Sequence, residues 1–145
     1  KRGIVPEAAS SWFLPRLIGI NKALELCYTG KVISAEEAKE VRLVSEILNQ
    51  DKLIDRALEI AKEFTAESSQ ISIALTRQMM WRMLGADDPM EAHKIDSRAV
   101  FELGQSGEAI EGVNSFLEKR PPSFPGKVSK DMPSFFPWWD EKEFE

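Results

Sequence analysis

Apolar positions over most of the chain recur at intervals of three and four, the spacing of one face of an α-helix. In residues 20–29, Ile20, Ala23, Leu24 and Cys27 share a face, and Gly30 follows as a helix stop. Leu53, Ala57, Ile60 and Phe64, widened by Ile54, Leu58 and Ala61, form a broad apolar stripe over residues 52–66. Polar punctuation fits the same scheme. Ser34-Ala35-Glu36-Glu37 reads as a capping box for a short helix to about Val41, and Asp51 as the cap of the 52–66 helix. Residues 70–84 form the next helix, ending at Gly85. Asp88-Pro89 is a cap with a first-turn proline for a helix to Leu103, and Ser106 caps a last helix to about Lys119. Pro121-Pro122 stops it. At the start, Pro6 and Glu7 mark a helix N-terminus, with a short segment from Ala8 to Leu14 that Pro15 interrupts and Gly19 closes.

Only one run suits a β-strand: Leu43-Val44-Ser45-Glu46-Ile47-Leu48, β-branched and apolar, bounded by Asn49 and Asp51. A lone strand cannot satisfy its own backbone and needs a sheet, and no other run offers a partner. The expected fold class is therefore mainly α with one short strand near 43–48, whose partner sheet is encoded upstream of Lys1. The expected organisation is a helical region over 1–120 and an extended tail over 121–145. That tail holds five of the eight prolines and six of the thirteen aromatics, too many helix breakers for regular structure. So many exposed rings are an association hazard, so the tail is expected to lie over a neighbouring surface.

Composition narrows the function by exclusion. The net charge is -5 with no long basic run, which argues against nucleic acid as the main partner. No apolar stretch approaches the ~20 residues of a membrane span. One cysteine, Cys27, rules out an intrachain disulfide and fits an intracellular, cytoplasmic setting; a peroxisome or mitochondrion in a eukaryote is also consistent. With a single His93, no Cys/His metal site is expected. His93 reads as surface, Cys27 as a small buried hydrophobe, and Ser10-Ser11 as small polar packing. Met79, Met80, Trp81 and Met83 read as core or subunit interface. The chain opens Lys1-Arg2-Gly3 without methionine or signal-like segment, which reads as a processed end or a fragment.

A wider resemblance rests on several blocks in order. They are residues 2–19 (RGIVPEAASSWFLPRLIG), Ala23-Leu24-Glu25-Leu26 with Thr29-Gly30, Ile33-Ser34-Ala35-Glu36-Glu37-Ala38, Leu43-Val44-Ser45-Glu46-Ile47, Glu111-Gly112, and Phe116-Leu117-Glu118-Lys119-Arg120. Together, over about residues 2–120, they resemble the enoyl-CoA hydratase/isomerase (crotonase) superfamily. The resemblance implies the C-terminal helical part of an α/β crotonase-like subunit, whose other half supplies a spiral of ββα units, most of the acyl-CoA pocket and both oxyanion-hole amides. It implies an acyl-CoA substrate, an enolate held by two backbone N–H groups, and proton transfer by carboxylates. No metal or redox cofactor is implied, coenzyme A entering only as part of the substrate. Homotrimers, often paired into hexamers, are the implied assembly.

The resemblance also assigns residues. In two-glutamate hydratases both glutamates would fall before Lys1. Here Pro6-Glu7-Ala8-Ala9-Ser10-Ser11 is similar instead to Δ3-Δ2-enoyl-CoA isomerases, which place a proton-shuttling glutamate at the position of Glu7. Glu7 is thus the candidate acid/base, with Ala8, Ala9 and Ser10 leaving room for an acyl chain; read without the family, Glu7 is a first-turn residue favoured by the helix dipole. Phe116 and Lys119 match positions that reach the adenine and 3′-phosphate of coenzyme A, often across a subunit boundary. The alternatives are a core Phe116 and a solvated Lys119, the core reading being the stronger for Phe116. Arg42 departs from the family, which usually has glycine there; a positive φ would strain it. Two rival functions remain: a non-catalytic crotonase-like acyl-CoA-binding or protein-interaction module, and an unrelated helical interaction domain.

Overall fold

The computed structural model describes residues 3–144; Lys1 and Arg2, which open the chain and the family-like run, lie outside them. Seven α-helices follow in order: α1 (Ser10–Ile18), α2 (Ile20–Thr29), α3 (Ala35–Glu40), α4 (Leu53–Thr65), α5 (Gln70–Met83), α6 (Pro89–Gly104) and α7 (Gly107–Glu118). A 3₁₀ turn, Gln50–Lys52, leads into α4. The chain divides into two compact units, one ending at Ile54 and the other beginning at Asp55. Among the described residues no helix is long and apolar enough to cross a membrane.

In the first unit, α1 begins later than expected. Ala8 and Ala9 both take left-handed backbone (φ 52° and 54°), so Pro6 and Glu7 precede the helix and Glu7 is not in its first turn. The helix-dipole reading of Glu7 falls with that. The Glu7 carbonyl accepts from the Ser10 amide at 2.9 Å and from the Ser10 hydroxyl, which ties the turn to the helix. Pro15 does not interrupt α1 but lies inside it. Its missing N–H leaves the Ser11 carbonyl without its usual partner, and an interior proline costs a helix about 3 kcal/mol. Gly19, at φ 78° and ψ 153°, sits in a region essentially closed to other residues. It ends α1 through its N–H to Pro15 O at 3.0 Å and starts α2 by accepting from Ala23 N at 3.1 Å.

The Ser34 capping signal is half realised. Ser34 Oγ accepts from the Glu37 amide at 3.1 Å, as the pattern predicts. The Glu37 carboxylate, however, does not reach back; it takes Lys31 Nζ at 2.7 Å and Lys22 Nζ at 3.4 Å. Lys31, with opposing desolvation and some help from Lys22, holds the Glu37 carboxyl below the usual carboxylate range. Arg42 has φ 63°, the left-handed backbone anticipated from its glycine-like position. It closes α3 in a Schellman arrangement: Leu43 N donates to Ala38 O at 2.8 Å and Arg42 N to Lys39 O at 3.0 Å.

The strand expected at 43–48 is not present; residues 43–48 have neither helical nor strand structure, and no strand occurs among the described residues. The Leu43 and Val44 amides both turn back to Ala38 O, and no second extended run offers an edge to pair with. Asp51 likewise lies within the 3₁₀ turn rather than capping α4.

The second unit closes a core of its own. Ser69, Asp88 and Ser106 cap α5, α6 and α7 by accepting from Ser72, Met90 and Ala109 amides. Ile71 and Leu75 of α5, Ala99 of α6 and Phe135 of the tail form the buried cluster, with Met79, Leu103, Met132, Phe136 and Trp138 around it. The tail around Met132, Phe135, Phe136 and Trp138 thus lies over helices of its own chain. Phe135 is only 5% exposed. Ser134 donates from its amide to Glu102 Oε2 at 3.1 Å and from its hydroxyl to the same carboxylate. The Arg82 guanidinium stacks 3.2 Å from the Trp139 ring centroid, and Arg98 stacks 4.9 Å from that of Phe135. Trp138 and Trp139 meet edge to face, 4.8 Å between centroids. Nearer α7, Glu111 takes both Arg120 Nη1 at 2.6 Å and Nη2 at 2.9 Å, and also the Ser123 amide at 2.6 Å. Met79 packs on the core as read, while Met80 is exposed.

Candidate functional site

A groove of about 380 Å³ in the first unit lies next to Glu7 in the chain, though Glu7 is not itself among its lining residues. Pro6, before it, and Ser10, bonded to its carbonyl, both line that groove. One wall is the loop Ile4-Val5-Pro6 and the α1 residues Ser10, Leu14 and Pro15; the other is the α2 face of Ile20, Leu24, Cys27 and Tyr28, with Ala23 at its base. The wall is apolar because the helical stripe of α2 is left uncovered: Ile20 is 57% exposed, and only Ala23 on that face is buried. Cys27 is exposed, against the expectation of a buried small hydrophobe. The stripe is there, but no element packs onto that part of it. Ala8 and Ala9 are not among the groove residues; they act through backbone, turning the chain between Glu7 and α1.

The Glu7 side chain is exposed, and among the described residues no hydrogen bond or ion pair holds its carboxylate. An unengaged carboxylate on a backbone fixed by two left-handed residues is free to accept and return a proton. Ile4, Val5 and Tyr28 also belong to the groove and were not legible as such. Tyr28 follows Leu24 by four residues, the only signal that placed it on the same side of α2.

Phe116 and Lys119 lie in the second unit, one turn apart at the end of α7. Phe116 is 82% exposed, against the core reading: among the described residues its face of α7, with Val113 and Leu117, has nothing packed on it. Lys119 is exposed and left-handed (φ 54°), ending α7 through its N–H to Phe116 O and the Arg120 N–H to Ser115 O at 3.1 Å. It repeats the Schellman arrangement of Arg42, again with a cation where glycine is usual. Beside it the Arg120 guanidinium and the Ser123 amide hold the Glu111 carboxyl down at about 2. His93 is exposed, as read. Among the described residues no group of three or more His, Cys, Asp or Glu side chains is placed to hold a metal ion.

The family model for enoyl-CoA hydratase/isomerase matches residues 1–127. The chain belongs to the enoyl-CoA hydratase/isomerase family. An enoyl-CoA hydratase of Alternaria alternata is 43% identical over 125 residues, covering 86% of this chain and 42% of that protein. The 1,2-epoxyphenylacetyl-CoA isomerase of Escherichia coli K12 is 29% identical over 133 residues, 88% of this chain and 48% of that one. Among solved structures, the enoyl-CoA hydratase of Bacillus anthracis superposes with a TM-score of 0.79 at 34% identity, covering 86% of this chain and 48% of the other. The chain thus spans about half the length of the curated relatives it matches. The mainly helical reading holds, since the matching structures are of this family and the described residues are helical where they are regular. The family match stops at residue 127, which leaves Phe135, Trp138 and Trp139 outside it.

Proposed function

We propose that these residues serve an enzyme that acts on acyl-CoA thioesters through an enolate, with Glu7 as the acid/base and the groove beside it receiving the acyl chain. The observation that carries this is the exposed, unengaged Glu7 carboxylate in a turn whose neighbours Pro6 and Ser10 line an apolar groove. The oxyanion hole comes from polypeptide beyond these 145 residues, whether in the same chain or another. As negative charge gathers on the thioester oxygen, two backbone N–H groups stabilise it, and the α C–H becomes acidic enough for a carboxylate to take. In Δ3-Δ2 isomerisation Glu7 removes the α proton and returns it at the γ carbon. In hydration the same carboxylate handles the proton traffic of water addition. Small residues around Glu7 and the family's isomerase-like glutamate placement favour isomerisation. Neither reaction calls for a metal or redox group.

Lys119 and Phe116 serve the other end of the substrate. An exposed aromatic ring and an exposed ammonium one turn apart match a purine and a phosphate, the ring by stacking and the Lys as a point charge. In a trimer or hexamer these residues contact the coenzyme A bound by a neighbouring subunit.

The test uses the complete enzyme with an enoyl-CoA substrate. Glu7→Gln should cut turnover and α-proton exchange with deuterated water by about 10²–10⁴-fold, the usual contribution of general acid/base catalysis, while acyl-CoA still binds. Unchanged exchange would remove Glu7 from the mechanism. Acyl-CoA binding with no exchange in the unaltered protein would instead identify a binding module. Lys119→Ala should raise KM for the acyl-CoA but not for the corresponding acyl-pantetheine, which lacks the phosphate; equal effects on both would dismiss the contact.

A further inference from the structure

We propose that a cavity in the second unit, away from Glu7 in sequence and independent of the acyl-CoA reading, binds a small ligand with an N–H donor on an apolar body, of the class of primary alkylammonium ions. The cavity, about 310 Å³, lies among the N-terminus of α5, the end of α6, the start of α7 and Phe124. Its apolar side is Leu103, Ala109 and Phe124; its polar side is Ser68, Ser72 and Glu108.

Glu108 gives the cavity its chemistry. The residue is only 8% exposed, in the first turn of α7. Its Oε1 accepts from the Gly126 amide at 2.9 Å. Its Oε2 is buried and has no hydrogen-bond partner among the described residues, and no ion pair involves this carboxylate. A buried acceptor without a donor is costly, and more so when it belongs to a carboxylate. The group is also pinned. A Cβ on Gly126 would come within 2.7 Å of Glu108 Oε1 and 2.5 Å of Ile71 Cδ1, so the Gly126 backbone lies close against the carboxylate that its amide holds. An incoming N–H donor is one group that satisfies Oε2. An ammonium supplies a donor for Oε2 in a cavity that Ser68 and Ser72 also line, with Leu103 and Phe124 there for its alkyl chain. An anion is disfavoured by the carboxylate.

The experiment titrates the complete protein with n-butylammonium, followed by amide chemical shifts, with butyrate and n-butanol as size-matched controls. Saturable shifts confined to Ser68–Ser72, Leu103, Ala109 and Phe124 are expected with butylammonium, with binding at least tenfold weaker for both controls. Glu108→Gln keeps an oxygen for the Gly126 amide but replaces the free acceptor, and should weaken butylammonium at least tenfold. Should that variant fail to fold, Ala109→Leu, which fills the cavity and leaves the carboxylate, should abolish the same shifts. Equal binding of butylammonium and butyrate, absence of saturable shifts, or undiminished binding in both variants would overturn the proposal.

Discussion

The two units use similar helices to opposite ends. Up to Ile54 the described apolar side chains are largely uncovered, with Ala23 and Ala38 the buried ones, and the open α2 face becomes the wall of a groove beside Glu7. From Asp55 onward, α5 and α6 bury Ile71, Leu75 and Ala99 because a non-helical segment comes back to cover them with Phe135. A helical stripe is an offer of surface, and what it becomes depends on whether anything arrives to accept it. Where the tail arrives, the stripe becomes core; where nothing does, it stays available to a ligand or another layer. α4, which leads into the second unit, is the exception there, its stripe of Leu53, Ile54, Leu58 and Phe64 remaining exposed among the described residues.

The sharpest way to break this contrast is to remove the covering ring. Phe135→Ala should destabilise the second unit by about 3–5 kcal/mol, read from its denaturant midpoint, with the acyl-CoA chemistry assigned to the first unit unaffected wherever the protein stays folded. A loss below ~1 kcal/mol would mean the tail only rests on α5 and α6. Gly126→Ala comes next. With Ile71 Cδ1 only 2.5 Å and Glu108 Oε1 2.7 Å from the new methyl, it should cost about 1–3 kcal/mol by overpacking, again in the denaturant midpoint. In the first unit, by contrast, a substitution should help. Arg42→Gly relieves left-handed strain of ~1–2 kcal/mol while adding unfolded-state freedom, for a net gain of about 0.5–1 kcal/mol in thermal unfolding.

The smallest effect is at acid pH. The Glu111 carboxyl titrates at about 2 when folded, below its ordinary 4.5, because Arg120 and the Ser123 amide favour its charged form. A depressed folded value stabilises above the unfolded one. The contribution is therefore present above about pH 4.5 and lost as the pH falls towards 2. Arg120→Met should flatten that acid limb in urea midpoints measured across the range; an unchanged limb would show the pair contributes nothing there.

What could be read in advance follows from how local each cause is. Ser34, Asp88 and Ser106 announce their helices because the capping hydroxyl or carboxylate and the amide it accepts from are two or three residues apart. Arg42 was legible for the same reason: the closing of α3 involves only residues 38–43. Pro15 was misread because an interior proline removes one backbone hydrogen bond without having to end the helix around it. Residues 43–48 have a strand's composition but lack an edge to pair with. Cys27 and Phe116 sit on apolar faces and are exposed all the same, since burial is a property of two surfaces. Glu7 was found through the family-like block around it, while Tyr28 and the loop wall of Ile4 and Val5 emerged only from the folded arrangement.

The paired indoles of the tail give this chain a built-in reporter. Trp138 and Trp139 lie 4.8 Å apart with their planes at 87°, close enough for their electronic excitations to mix, and the Arg82 guanidinium sits on the outer ring. Such a dimer of chromophores gives a circular-dichroism couplet and a shifted emission that two independent tryptophans lack. Detachment of the last turn of chain can therefore be followed optically, without a label, in the same sample whose catalysis is being assayed.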